Sequence, residues 1–264
     1  MKKIVSIQDI SCFGKCSLTA ALPITSAMGI ETAIIPTAVL STHTGGFTGY
    51  TFRDLTDDIQ PIADHWASIP LSFDAIYTGY LGSERQLDIV SRFFDRFGKS
   101  ACVFVDPVMG DRGRLYTGFT PNFAAQMAKL CAKADIIVPN LTEACAMLGV
   151  DYIEEGYSKD YIEKMLHALR ALGAKNVVLT GVSFAKDALG IALLQQGADE
   201  VHYYFNEKIP VCLHGTGDIF ASCTVGALMN GFAPVSYTHL VCFSWFFVFF
   251  CSSFAGEISA NKAA

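Results

Sequence analysis

Apolar runs of strand length alternate with stretches of helical period through most of the chain. "KKIVSIQD" reads as a first strand; its apolar positions stop at Gln8 and Asp9, too soon for the core of a secretion signal. A helix-like "CSLTAALPITSAMG" and the strands "TAIIPTAVLS" and "AIYTGYLG" follow. In "SERQLDIVSRFFDRFG", Leu87, Val90, Phe94 and Phe97 recur at helical spacing, and Ser83 with Gln86 predicts a capping box. "ACVFVDP" and "DIIVPN" are short β-rich runs separated by "TPNFAAQMAKLCAKA", where Thr120 caps and Pro121 takes the first helical position. A helix at "SKDYIEKMLHALRALG" leads into "NVVLTG", and "LGIALLQQG" with "YYFNEKIP" forms a late pair of strands. Strand, helix and strand in repetition predict right-handed crossovers and an α/β fold, with a mainly parallel central sheet and helices on both faces.

In such sheets ligands bind beyond the carboxyl ends of the strands. The residues there are Gln8 and Asp9, His43 and Thr44, Tyr80, Asp106, Asn140 with Glu143, Thr180, and the turn Gly215–Asp218. Taken singly, an Asp or Asn in such a place is an ordinary turn or capping residue. Collected from so many strands, the set predicts a site. The last segment, "GTGDIFASCTVGALMNG", combines small residues with a buried-helix pattern. The amides of Gly215, Thr216 and Gly217 at a helix start form a concave set of donors that favours an anion. Asp218 in the first turn either matches the helix dipole or, beside a bound phosphate, accepts a proton.

Composition narrows the function further. The chain has 264 residues, 52% hydrophobic, with a net charge of -6 and 19 Lys and Arg spread along it. No concentrated basic surface exists for a nucleic acid. Nine cysteines without a CxxC spacing favour reduced thiols and a cytoplasmic protein, and their spacing does not predict a metal cluster. "GKCS" lacks the earlier glycine of a Walker motif, and no GxGxxG follows the first strand, so neither a P-loop enzyme nor a dinucleotide dehydrogenase is indicated.

"GTGD" opening a late helix, "DPVMGD" at 106–111, "PNLTEA" at 139–144 and "TGYLGS" at 78–83 together resemble the ribokinase-like superfamily, in its pyridoxal and pyridoxamine kinase branch. The opening "IQDISCFGKCSLTAALPITSAMG" and "STHTGG" carry the same likeness. The resemblance covers residues 1–232, read as a single ribokinase-like kinase domain. It implies ATP-dependent phosphorylation of the 5'-hydroxymethyl group of pyridoxal, pyridoxamine or pyridoxine. Asp218 matches the catalytic base, and Gly215, Thr216 and Gly217 the anion hole. Asp106 and Glu143 sit where the family gathers Mg²⁺, Glu143 through water; Asn140, Thr180 and Gly181 match positions near the nucleotide. His43, Thr44 and Tyr80 fall at ring-contact positions, and Asp111 lies in a glycine-bearing loop fit to close over the reactants. At position 9 several pyridoxal kinases carry serine; Asp9 here is suited to a cationic group on the substrate. Relatives of this kind are often dimers, so a homodimer is expected, and a monovalent cation requirement is left open. Two alternatives stay in view: a hydroxymethylpyrimidine kinase, against which "IQDISCFG" stands in place of a glycine-rich opening turn, and a non-catalytic vitamin-binding protein.

After "GALMNGFAP" the resemblance stops. Residues 233–264 form an atypical apolar tail in which the 17 positions from Leu240 to Gly256 carry no charge. The run is short for a bilayer span and lacks basic flanks, so no membrane partner is expected; a truncated or out-of-frame end is.

Overall fold

The computed structural model of the chain describes residues 1–209 and 214–232; the predicted apolar tail lies outside them. In chain order the elements are β1 (Lys3–Ser11), α1 (Leu18–Ala27), β2 (Glu31–Leu40), β3 (Phe52–Asp54), α2 (Thr56–Ala67), β4 (Ala75–Thr78), α3 (Glu84–Phe97) and β5 (Cys102–Val105). There follow β6 (Gly110–Asp111), β7 (Arg114–Leu115), α4 (Pro121–Cys131), β8 (Ile136–Ile137), α5 (Leu141–Leu148), α6 (Lys159–Ala171), β9 (Asn176–Val182), β10 (Ala188–Leu194), β11 (Val201–Glu207) and α7 (Thr216–Met229).

Among the described residues nine strands make one sheet in the order β11-β10-β9-β8-β5-β4-β1-β2-β3. The six strands from β9 across to β2 run parallel, while β3, β10 and β11 pair antiparallel at the two edges. A mainly parallel α/β sheet is therefore what the chain forms. Alternation along β1 sends Val5 and Ile7 to one face and Ile4 to the other, and two apolar cores result. The first packs residues of α2, α3, α4, α5 and α6; the second packs α1 and α7.

Local chemistry explains the helix starts. Ser83 accepts the Gln86 N–H, Thr120 accepts that of Phe123 ahead of Pro121 at the first turn, and Ser158 accepts that of Tyr161. The Ser83 motif is only half a capping box. The Gln86 side chain accepts from the Gly82 N–H and donates to the Thr37 carbonyl and the Thr56 hydroxyl, tying α3 to β2 and α2.

Two features aim the sheet at a ligand. The chain leaves β1 toward β2 on one side and later returns to β4 on the other, and the crevice of such a sheet opens where the order reverses. Beside it, the β1–β2 register slips between Gln8 and Ile10, and the hydroxyl of Thr37 in β2 donates to the Tyr80 carbonyl. Among the described residues no helix is long and apolar enough to cross a membrane.

Candidate active site

The site is built around the start of α7. Gly215 takes φ 81, a left-handed conformation open to glycine, and a Cβ there would overlap the Lys15 carbonyl oxygen. The loop after β1 thus lies directly against the turn. Gly215 offers no side chain to cap the helix, so the first-turn N–H groups face outward with the positive end of the dipole behind them. Among the described residues nothing lies within 4 Å of where a Cβ would stand on Gly217, which leaves room above the turn for a ligand.

Asp218 projects from the first turn and accepts a hydrogen bond from the Ser17 N–H. Burial, and then the charge of Asp9, push its carboxyl up to about 7, against the lowering effect of that hydrogen bond. Behind it, the Ser222 hydroxyl donates to the Asp218 carbonyl at 2.5 Å and meets the Tyr77 hydroxyl at 3.3 Å. Tyr77 and Ser222 are fully buried, and Gln8 reaches the same hydroxyl from β1. This polar column pins the helix start to β1 and β4.

Two more carboxylates stand at neighbouring strand exits. Asp106 follows β5, buried, with its N–H on the Thr78 carbonyl; burial, then the charges of Glu143 and Asp218, raise its carboxyl well above the usual range. Glu143 is pushed up to about 8, chiefly by burial. It forms a full capping box with Asn140, accepting that residue's N–H at 2.9 Å, while its other oxygen accepts the Met109 N–H at 3.1 Å. Asn140 also donates to the Gly110 carbonyl, so α5 and the 107–110 loop are locked together. Thr180 bridges to Asn140 across the β8–β9 exits, and Gly181 beside it takes φ 76. The residues expected near a nucleotide are thus brought together.

On the far side of Asp218 lies Asp9, almost fully buried, held by the Ser11 hydroxyl at 3.0 Å and by the Ser17 hydroxyl; burial raises its carboxyl. Tyr80 senses that charge: burial, then Asp9, push its phenol up to about 12, and its ring packs on Phe119. His43 meets Phe47 edge-on at 4.9 Å and His214 at a tilt at 5.0 Å, with burial and then His214 lowering its pKa. Thr44 is exposed in the same loop. His43, which would collide with a Cβ on Gly14, and His214, which would collide with one on Gly45, close this loop over the 12–17 loop and the α7 turn.

Asp111, in the loop expected to close over the reactants, is exposed in the β6–β7 hairpin, accepts the Arg112 N–H at 2.9 Å, and its charge is felt at Glu143, Tyr116 and Tyr152. The sequence reading missed Ser17, Tyr77 and Tyr116; the last carries a phenol raised by burial and then by Glu143, Asp111, Asp106 and Asp218.

Among the described residues no three acidic, His or Cys side chains enclose an ion by themselves. The donor set nevertheless suits a hydrated divalent cation. Asp106 receives no hydrogen bond on its carboxylate from the described residues, and mutual repulsion with Glu143 and Asp218 is what a cation relieves. Both Glu143 oxygens are engaged by N–H donors, which favours contact through water.

A family model described as phosphomethylpyrimidine kinase matches residues 14–236. The pyridoxal kinase PdxY of Aliivibrio fischeri is 30% identical over 253 residues, 89% of this chain and 84% of the relative. The crystal structure of pyridoxal kinase from Lactobacillus plantarum aligns with TM-score 0.88 at 32% identity, covering 97% of this chain and 90% of that one. A Bacteroides thetaiotaomicron protein, provisionally described as a phosphomethylpyrimidine kinase and crystallised with pyridoxal, aligns with TM-score 0.86 at 37% identity, over 91% and 84%.

Proposed function

Since the chain belongs to the phosphomethylpyrimidine kinase family, which takes in the pyridoxal kinases it resembles, we propose that it transfers the γ-phosphoryl group of ATP to the 5'-hydroxymethyl group of a vitamin B6 ring. The observation that carries this reading is Asp218. It is a carboxyl that titrates near neutrality, set in the uncapped first turn of a helix at the crevice of the sheet.

The acceptor ring lies between Tyr80, the His43–Thr44 loop and Asp9, with its hydroxymethyl arm toward Asp218. The hydroxyl oxygen bonds to the γ-phosphorus as the bond to the β,γ-bridging oxygen breaks, and Asp218 takes the hydroxyl proton. ADP and the 5'-phosphate are the products. Amides of Gly215, Thr216 and Gly217 face the charge on the transferring group, and alignment supplies much of the remaining acceleration. Asp106 directly, and Glu143 through water, would hold Mg²⁺, whose chemistry is to neutralise the phosphate oxygens. Asn140, Thr180 and Gly181 line the nucleotide side. Free thiols at Cys12, Cys16, Cys102, Cys131, Cys145 and Cys223 suit a reducing compartment, so we place the enzyme in the cytoplasm.

The test is ADP release from MgATP with pyridoxal, pyridoxamine, pyridoxine and hydroxymethylpyrimidine offered separately. Turnover of a B6 ring supports the proposal. Turnover of the pyrimidine alone reassigns the acceptor, and silence with all four, alongside measurable pyridoxal binding, replaces the kinase with a binding protein.

A further inference from the structure

Three segments meet beside the start of α7: the loop 12–17 after β1, the loop 41–51 after β2, and His214 with Gly215. Wherever two of them touch, a glycine of one admits a group of the other. The His43 ring lies where a Cβ on Gly14 would stand, the His214 ring where one on Gly45 would stand, and the Lys15 carbonyl where one on Gly215 would stand. These three contacts close a circuit, with the loop 41–51 as its middle member. That loop is tied at its base, the Ser41 N–H donating to the Thr51 carbonyl at 3.1 Å and the Thr51 N–H to the Ser41 hydroxyl at 2.9 Å. At its tip the His43 N–H donates to the Phe13 carbonyl at 3.3 Å, and Phe13 meets Phe47 edge-on at 6.0 Å.

The contact of His214 is one of fit. Among the described residues neither its imidazole nor that of His43 makes a hydrogen bond or an ion pair; what His214 supplies is a flat ring laid on Gly45 and Gly46 and tilted against His43. Gly45 does not take a left-handed φ, so its missing side chain serves the close approach and not the backbone. The loop 41–51 carries Thr44 and His43 of the acceptor side, whereas His214 directly precedes the amides of Gly215, Thr216 and Gly217. One ring therefore spans the boundary between the two halves of the site.

We propose that His214 is a positioning residue that ties the acceptor loop to the phosphate turn, so that the vitamin ring and the nucleotide each bind more tightly when the other is present. This rests on the kinase reading above. A triphosphate that fills the uncapped start of α7 orders the turn and His214 with it, and the seated His214 ring fixes the loop 41–51 through Gly45. The second ligand then meets a loop already in place, and less ordering opposes its binding.

The test is a pyridoxal titration with and without a non-hydrolysable ATP analogue and Mg²⁺. In the parent the analogue tightens pyridoxal about fivefold or more. In His214→Ala the two Kd values agree within about twofold, and kcat/KM for pyridoxal falls about tenfold. His214→Phe restores a ring and regains most of the tightening. Gly45→Ala drives a methyl into the His214 ring and loses the tightening as well; added to His214→Ala it costs less than about twofold more in kcat/KM, because the ring it strikes is gone. Thermal melts show which variants fold, and should His214→Ala not fold, Gly45→Ala and His214→Phe decide the matter. The proposal is overturned by a parent without tightening, by tightening that survives His214→Ala or Gly45→Ala, by a His214→Phe variant that behaves as alanine does, or by losses that multiply in the double variant. If the parent phosphorylates nothing yet shows the tightening, and the variants abolish it, the kinase reading fails and the link between the two halves stands.

Discussion

Consider Asp218→Asn. The amide has nearly the shape of the carboxylate, and its oxygen still accepts the Ser17 N–H, but it takes no proton from the acceptor. Loss of a positioned base lowers kcat by about 10² to 10⁴, equivalent to about 3–5 kcal/mol in the barrier. Stability moves the opposite way. The folded protein holds Asp218 at about 7, above its ordinary 3.8. Between those pH values the unfolded chain gives up the proton more readily, so this group's contribution to stability falls as pH rises from about 4 to about 7 and stays low above that. The shift of about three units corresponds to at most about 4 kcal/mol; because Asp218 keeps part of its surface exposed, about 1–3 kcal/mol is the expected share. Asparagine removes that cost, which raises Tm by several degrees at pH 8 and little at pH 4. The assay pairs coupled ADP release with thermal melts at both pH values, plus a pyridoxal titration expected to stay within about threefold of the parent. A variant with more than a tenth of the parental kcat, or one that melts lower at pH 8, refutes the argument.

Three further outcomes follow from the same geometry. In the parent enzyme kcat falls with unit slope below a pH near 7, as protonation of Asp218 removes the base; a flat profile from pH 5.5 to 8 counts against it. Gly215→Ala forces φ 81 on a side chain and drives a methyl into the Lys15 carbonyl, lowering stability by about 1–3 kcal/mol. Gly217→Ala meets none of the described residues and should melt near the parent while losing turnover, and a pair of melts with steady-state kinetics separates the two. Asp106→Asn relieves a carboxyl raised by burial and by Glu143 and Asp218, so it should gain stability at pH 8 while needing several-fold more Mg²⁺ for half-maximal rate; an unchanged Mg²⁺ titration removes Asp106 from that role.

Elements with strong local signals were legible in the chain. Thr120 and Pro121 start α4 as their chemistry dictates, and "GTGD" opens α7 with Asp218 in its first turn. What tertiary structure decided was not legible. The start of helix α2 is held by Asp54, at the end of an edge strand, which accepts the Thr56 N–H and hydroxyl, so no local pattern announces the helix. "PNLTEA" carries the family resemblance, and in the fold its Asn140 and Glu143 cap α5, so the pair proposed for the nucleotide and Mg²⁺ also starts a helix. Asp111 sits exposed in a two-stranded hairpin paired with Arg114, a placement that no local pattern around it announces. Ser17 could be noticed only as a polar residue between a strand and a helix. Its positive φ depends on the packing of Lys15 and Gly215, which no local pattern encodes.

The bare glycine at the head of α7 leaves that helix unfinished by its own side chains. In the proposed complex the phosphate oxygens complete it, so the nucleotide acts as the missing terminal residue of a secondary-structure element. Catalyst and cargo would then be ordered in a single event. Amide deuterium uptake across residues 216–219 should slow when ATP binds, and recover when ADP, one phosphoryl group shorter, takes its place.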